Sequence, residues 1–253
     1  MKMRLSLCIL STVLFLCTGT AAAQVEDRTA VLKKIPVLCY HNIYQSGKQL
    51  NQLYISEKQL DSHLKVLNDS GYTSILPHQL ADYYLKGTPL PSKPVLITFD
   101  DAHLQHYTIA RPLLNRYRMK GVFFIMTVVL NKKGFLTHSQ VAQMTEEGHQ
   151  IGLHTWDHPN LSKSKTVDWS LQLEQPRQLL ERITGQPISC IAYPFGAWNP
   201  AVTAQLKKRG IVTGFQLTGA VSTDDPLLTI RRIMVNGQWS PNQLLRALKT
   251  RFP

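Results

Sequence analysis

"PVLITFDDAH", residues 94–103, is the stretch on which the reading of this chain turns. A strand-like apolar run, Val95, Leu96, Ile97 and Phe99, ends in two adjacent carboxylates, Asp100 and Asp101. Neighbouring anions repel, so a pair at the mouth of a buried strand calls for a compensating cation or a proton. A capped turn would also account for the pair, because Asp is a good turn and N-cap residue. What the rest of the chain brings to the same place separates the two readings.

Apolar runs of strand character alternate with amphipathic stretches along most of the sequence. "PVLCYH" (36–41) reads as a short buried strand. "SEKQLDSHLKVLNDSG" then places Leu60, Leu64 and Leu67 on one helical face, with Ser56 as cap and Gly71 as stop. "VFFIMT", "QIGLH", "SCIAYPF", "IVTGFQLT" and "LTIRRIMV" continue the strands. "SQVAQMTEEG", residues 166–184, "NPAVTAQLKKRG" and "SPNQLLRALK" supply helices between and after them. Pro112, in "HYTIARPLLNRYRMKG", either kinks that helix or sits in its first turn. Strands alternating with helices imply parallel pairing under a helical layer. No Gly-rich phosphate loop follows the first strand, so an open nucleotide-binding sheet is disfavoured. The expected class is α/β, a distorted (β/α) barrel with about seven parallel strands, in one domain spanning residues 24–253.

Residues 1–23 read as a secretory signal peptide: Lys2 and Arg4, an apolar run from Leu5 to Cys17, and small residues for cleavage after Ala23. A lipid anchor at Cys17 is disfavoured because bulky Leu16 precedes it. The expected location is therefore periplasmic or extracellular. Cys8 and Cys17 leave with the leader, and Cys39 and Cys190 are expected as buried thiols rather than a disulfide framework. The 28 basic against 16 acidic residues give +12, or +10 without Lys2 and Arg4. That excess favours an anionic envelope surface. The basic residues are scattered, with no basic helix or nucleic-acid motif among them, so nucleic acid is not an expected partner. A monomer is the expected state.

In a parallel barrel the loops after the strands share one face, where active sites sit. That face would collect His41, Asp100, Asp101, His154, His158, Tyr193, Pro194 and Phe195. In "HTWDH", His154 and His158 are four apart, so one helical turn would bring both imidazoles to one side. One carboxylate completes a His2Asp set with open positions, the arrangement of a catalytic metal site. Alternation along an extended strand would turn one aspartate to the metal and the other to its bound water.

"TFDD", "HTWDH" and "YPFG", in this order, resemble the first three motifs of the polysaccharide deacetylases, carbohydrate esterase family four. "PVLCYHNI" resembles the branch acting on biofilm poly-N-acetylglucosamine. The resemblance implies removal of N-acetyl groups from an N-acetylglucosamine polymer, and a divalent metal, usually zinc, with cobalt, nickel or manganese as alternatives. By position it implies Asp100 as general base, with Asp101, His154 and His158 as metal ligands. It also implies the Phe195 backbone N–H as oxyanion donor. No histidine follows His158, so the acid falls to the early His41. The arginine that often opens the third motif is replaced by Ala192, and Arg231 or, preferentially, Arg232 is expected to supply that charge. Tyr193, Pro194, Trp198 and Arg232 are the expected substrate-side residues, with Trp198 the first choice for stacking on a sugar ring. Peptidoglycan, chitin oligomers, or sugar binding without catalysis are the competing readings.

Overall fold

The strands of the main sheet are buried along almost their whole length, which is what a parallel sheet under helices demands of its residues. The structure, a computed structural model, describes residues 28–44, 50–164, 166–217 and 219–252. The expected signal peptide lies outside these residues. After a helical segment α1 (28–34), the chain runs β1 (Val37–Tyr40), β2 (Asn42–Tyr44), β3 (Tyr54–Ser56), α2 (Glu57–Asp69), β4 (Thr73–Ser74), α3 (Pro77–Lys86) and β5 (Pro94–Asp100). Then follow α4 (Arg111–Arg116), β6 (Val122–Ile125), α5 (His138–Glu146), β7 (Gln150–Leu153), α6 (Gln175–Thr184), β8 (Cys190–Ala192), α7 (Pro200–Lys208) and β9 (Thr213–Gln216). β10 (Ile230–Arg231), β11 (Ile233–Met234) and α8 (Pro241–Arg251) complete it.

The sheet order is β10-β9-β8-β7-β6-β5-β1-β11, every pairing parallel. Its two outermost members are halves of one strand broken at Arg232. The first half pairs with β9 and the second with β1, so the sheet curls round and its two edges meet in a single short segment. Arg232 N–H donates to Gln216 O (2.9 Å) on one side of the seam, and Val235 N–H to Cys39 O (3.0 Å) on the other. Counting that broken strand once, seven parallel strands form the ring, a distorted (β/α) barrel. β4 pairs with the first residues of β5, and β2 with β3 make a separate parallel pair.

Strand alternation sorts the side chains into two layers. Leu38, Ile97, Phe99, Phe123, Ile151 and Ile191 pack outward with helix residues such as Leu60, Leu64 and Leu180. Val37, Leu96, Val122, Phe124, Ala192 and Phe215 form a separate cluster that Leu32, Ile35 and Leu80 close at the end where the strands begin. Thr98, Asp100 and Arg232 share that inward face, nearer the end where the strands finish.

Local signals explain the helices. Ser56 caps α2 by accepting from Gln59 N–H, and Leu60, Leu64 and Leu67 are its buried face, as their spacing requires. Pro112 sits in the first turn of α4, just after a π-helical turn over His106–Ala110. The helix runs on through that turn, Arg111 N–H donating to His106 O, and the wide π turn accommodates Pro112, which has no N–H to continue the ladder. The longer helix expected over 166–184 begins only with a π turn at Ser170–Glu174, again followed by a proline in the first α turn.

The interior is full. A Cβ placed on Gly152 would stand 2.6 Å from the Phe124 ring and 2.8 Å from Cys190 Sγ. Gly152→Ala should therefore cost about 1–3 kcal/mol of stability, read by urea denaturation; unchanged stability would mean that the barrel has slack. His149 is buried, and its Nδ1 accepts from Gly121 N–H (3.1 Å), so the ring is neutral. Burial, then the nearby Lys120 charge, hold its pKa down to about 4. The unfolded chain protonates this ring near ~6.5. Its contribution is thus present above ~6.5 and lost as pH falls toward about 4. Denaturation at pH 7 and pH 5 should show lower stability at pH 5, and His149→Gln should flatten part of that difference.

Candidate active site

The ends of β1, β5, β7 and β8 and the break in the last strand meet at one mouth of the barrel. Asp100 is the last residue of β5 and is 1% exposed. An isolated carboxylate there would be costly, and Arg232, also 1% exposed, answers it with a two-pronged pair. Arg232 Nη1 donates to Asp100 Oδ1 (2.7 Å) and Nη2 to Oδ2 (2.8 Å), while Nη1 also reaches Thr98 Oγ1 (3.1 Å). Arg231 is exposed, so of the two candidate arginines it is Arg232 that enters the site. Burial alone would raise the Asp100 pKa, but the Arg232 charge and hydrogen bonds, with His154 and His41, override it and hold the carboxyl at about 2.

Asp101 takes a different direction for a reason other than the expected strand alternation. β5 has ended, and Asp101 lies at φ 80° and Ala102 at φ 61°, a left-handed turn that swings the second carboxylate out of the strand path. Its Oδ1 stands 3.4 Å from His154 Nε2 and its Oδ2 3.8 Å from His103 Nε2. Burial opposes ionisation of Asp101, yet His103 and His154 hold its pKa well below the carboxylate range.

The expected helical turn through "HTWDH" is absent. β7 stops at Leu153 and residues 154–160 form a loop, with Thr155 at φ 65° and His158 at φ 68°. Thr155 Oγ1 donates to His154 O (2.6 Å) and accepts from His158 N–H (3.0 Å). Gln172 secures the outside of the loop, accepting from Trp156 N–H and donating to Asp157. The two imidazoles still meet, edge to face with centroids 4.7 Å apart. Among the described residues, five of the seven non-glycine residues at positive φ, Asp101, Ala102, Thr155, His158 and Phe195, belong to this mouth. Such conformations cost about 1–3 kcal/mol each where they are strained. The loop is therefore shaped by what it must present rather than by local preference.

Asp101, His154 and His158 each offer a ligand atom within 4.8 Å of the others, a candidate metal-binding triad. The hydrogen bonding of His154 supplies a test of fit. Its Nδ1 lies 2.8 Å from Ala192 O, and a carbonyl only accepts, so the proton is on Nδ1 and the neutral ring turns the Nε2 lone pair toward Asp101. Two lone pairs at 3.4 Å need a cation or a proton between them. Burial lowers the His154 pKa, but Asp100 and Asp101 outweigh it and the net direction is upward, as a proton in that gap requires. A divalent cation suits the same gap.

The remaining predicted residues divide. His41 follows β1, and its Nε2 is 3.8 Å from Asp100 Oδ2. Phe195, at φ 60° in a tight turn after β8, is 60% exposed and makes a T-shaped ring contact with His158. That turn uses Gly196 N–H to Tyr193 O and Ala197 N–H to Pro194 O, and neither bond consumes Phe195 N–H. Trp198, three residues on, is half-buried and packs against the core. Tyr193, expected on the substrate side, does not open its side chain to the mouth: it is fully buried, and its hydroxyl donates to Leu228 O (2.6 Å). Pro194 is buried too and shapes the turn. Reading from sequence missed Cys39 and His103, which also line this mouth. Cys39 lies on β1 next to Tyr40, whose ring packs outward, so alternation puts the Cys39 thiol on the inward side with Asp100. His103 stands two residues past Asp101.

Comparison with known proteins adds the family. The polysaccharide deacetylase family model matches residues 87–214. YxkH of Bacillus subtilis (strain 168), a polysaccharide deacetylase by name, is 30% identical over 217 residues, 83% of this chain and 76% of the relative. This chain belongs to the polysaccharide deacetylase family. It is accordingly a hydrolase acting on N-acetyl amides. The poly-beta-1,6-N-acetyl-D-glucosamine N-deacetylase of Staphylococcus aureus (strain MRSA252) is 27% identical over 208 residues, 76% of this chain and 71% of that one. Among solved structures, the Streptococcus pyogenes deacetylase PplD in complex with acetate superposes with a TM-score of 0.77 at 25% identity, covering 85% of this chain and 98% of that chain. The family match contains Asp100, Asp101, His154, His158 and Phe195, and leaves His41 and Arg232 outside it.

Arg232→Met keeps the bulk but strands Asp100 as a buried, unpaired charge, and should cost about 3–5 kcal/mol at pH 7. In the native protein the pair's contribution is present above ~3.9 and lost as pH falls through about 2. In the variant Asp100 escapes by taking up a proton, so its deficit should shrink between pH 7 and pH 4. Urea denaturation at both pH values reads this, and an equal deficit at both would show that the charge of Asp100 is not what Arg232 answers.

Proposed function

We propose that this deacetylase removes acetyl groups from an N-acetylglucosamine polymer, poly-beta-1,6-N-acetylglucosamine first among them, with a divalent metal and Asp100 as general base. The observation that carries the reading is the juxtaposition of the Asp101–His154–His158 triad with a second carboxylate, Asp100, kept ionised by Arg232. A site that only bound sugar would have no use for an ionised carboxylate beside a cation triad. The polymer is chosen because a relative of known name acts on it across most of both chains.

Asp101, His154 and His158 would hold the ion, with zinc preferred and cobalt, nickel or manganese as alternatives, since two imidazoles and a carboxylate suit all of them. When bound, such an ion lowers the pKa of a water toward ~7 and polarises the acetamide carbonyl. Asp100 accepts the attacking water's proton; Arg232 occupies one side of each of its oxygens and leaves other lone pairs for this. The Phe195 N–H, unspent in its turn, donates to the oxygen on which charge develops. His41 then protonates the departing nitrogen, which leaves poorly as an anion. Burial lowers the His41 pKa while Asp100 and Asp101 oppose that, so its proton is the one freed at Asp100, 3.8 Å away. The products are acetate and a glucosamine unit. The exposed Phe195 and, three residues on, Trp198 offer apolar faces to sugar rings. Residues 1–23 are read as a leader that delivers a single domain, 24–253, as a monomer to the periplasm or exterior, where its positive charge suits an anionic envelope.

The purified protein should release acetate from poly-beta-1,6-N-acetylglucosamine oligomers, stop on chelation, and recover with added Zn2+ or Co2+. Release only from peptidoglycan or chitin fragments would replace the polymer, and sugar binding without any release would overturn the enzymatic reading. Asp100→Asn should keep its bound metal while turnover falls roughly 100-fold or more; His158→Ala should lose both. Metal content by mass spectrometry beside acetate release separates the two variants.

A further inference from the structure

Cys39, His41 and Asp100 form a second cluster against the triad just described. Cys39 Sγ is 3.6 Å from Asp100 Oδ2 and 3.8 Å from His41 Nδ1, and each residue offers a ligand atom within 4.8 Å of the others. Donors at about 2.3 Å (sulfur) and about 2.0–2.1 Å (nitrogen or oxygen) from one tetrahedral ion stand about 3.6 Å apart. The two sulfur distances therefore already match the edges of a coordination polyhedron. They are long for strong hydrogen bonds, and the thiol is fully buried with no other hydrogen-bond partner among the described residues. Sulfur, imidazole and carboxylate together favour a thiophilic ion over Mg2+ or Ca2+.

We propose that Cys39, His41 and Asp100 are a second, inhibitory cation site at the barrel mouth, selective for thiophilic divalent ions such as Cd2+ or Zn2+ in excess. On uptake the Cys39 S–H bond breaks, its proton passes to buffer, and the thiolate, one His41 nitrogen and an Asp100 oxygen each donate a lone pair to the ion. Nothing is oxidised or reduced. Arg232 keeps its hold on the carboxylate and remains the counter-charge to the added thiolate. Occupation withdraws the two groups to which base and acid roles are given above, so the inhibition rests on that reading, whereas the binding does not. The two sites adjoin, His154 Nε2 lying 3.9 Å from Asp100 Oδ2, so one ion serves catalysis and a second silences it.

The test is a Cd2+ titration of the full chain. A Cys8→Ser/Cys17→Ser/Cys190→Ser variant, whose only thiol is Cys39, should take up a second equivalent of Cd2+ with a thiolate-to-metal charge-transfer absorption and the release of one thiol proton. Adding Cys39→Ser should abolish the band and the second equivalent while the first remains. Acetate release by the wild-type protein should fall roughly 100-fold, the scale of losing one acid–base group, as Cd2+ passes one equivalent, and should not do so in Cys39→Ser. Absence of the band from the folded single-thiol variant overturns the site, whatever the protein's activity. A band with undiminished acetate release overturns the inhibition. If no substrate is ever hydrolysed, the band still decides whether the ion binds.

Discussion

A buried guanidinium on a buried carboxylate, Arg232 on Asp100, is the interaction on which this molecule turns. It joins the middle of the sheet to its seam: Asp100 ends β5, and Arg232 sits at the break between the half-strand that pairs with β9 and the half that pairs with β1. The same contact ties the seam to β5 across the barrel mouth and keeps the carboxylate ionised in a place where burial would otherwise protonate it. Desolvating two charges is expensive, so such a pair contributes little net stability against an apolar alternative. Its presence makes more sense as a means of holding an ionised carboxylate in a dry mouth.

The rest of the site is arranged around that carboxylate in two different ways. Residues on strands are aimed by alternation, which is why Cys39, Thr98 and Asp100 all face Arg232 or its partner. Residues just past strand ends are aimed by left-handed turns at Asp101, Thr155, His158 and Phe195. The first device is rigid and sets Asp100; the second is costly and sets the candidate triad of Asp101, His154 and His158 and the turn that leaves Phe195 N–H unspent. The exposed Phe195, its ring against His158, links the triad to the open surface of the mouth.

Much of this was legible in the sequence because the signals are local. Hydrophobic runs of four to seven residues, Ser56 and Ser240 before helices, and Pro241 in a first turn specify most elements without reference to the others. Tyr193 shows where that ends. As the residue after a strand it looked open to substrate, but its hydroxyl finds the Leu228 carbonyl, a partner 35 residues away that no local pattern announces. The histidine pair shows the reverse: the two rings do converge, although through a Thr155-bridged loop and not a helical turn.

By itself, the order of residues determined the alternation of strands and helices, the approximate count of strands in the ring, and the collection of Asp100, Asp101, His154 and His158 at their ends, because each of these follows from nearest neighbours and from one rule of parallel sheets. Only the folded chain decided that Arg232 rather than Arg231 reaches Asp100, that Cys39 and His103 join the mouth, and that Tyr193 leaves it. Those choices rest on how the sheet closes and on which buried polar atom is left needing a partner. Both are properties of distant segments brought together, and neither can be summed from the residues taken in turn.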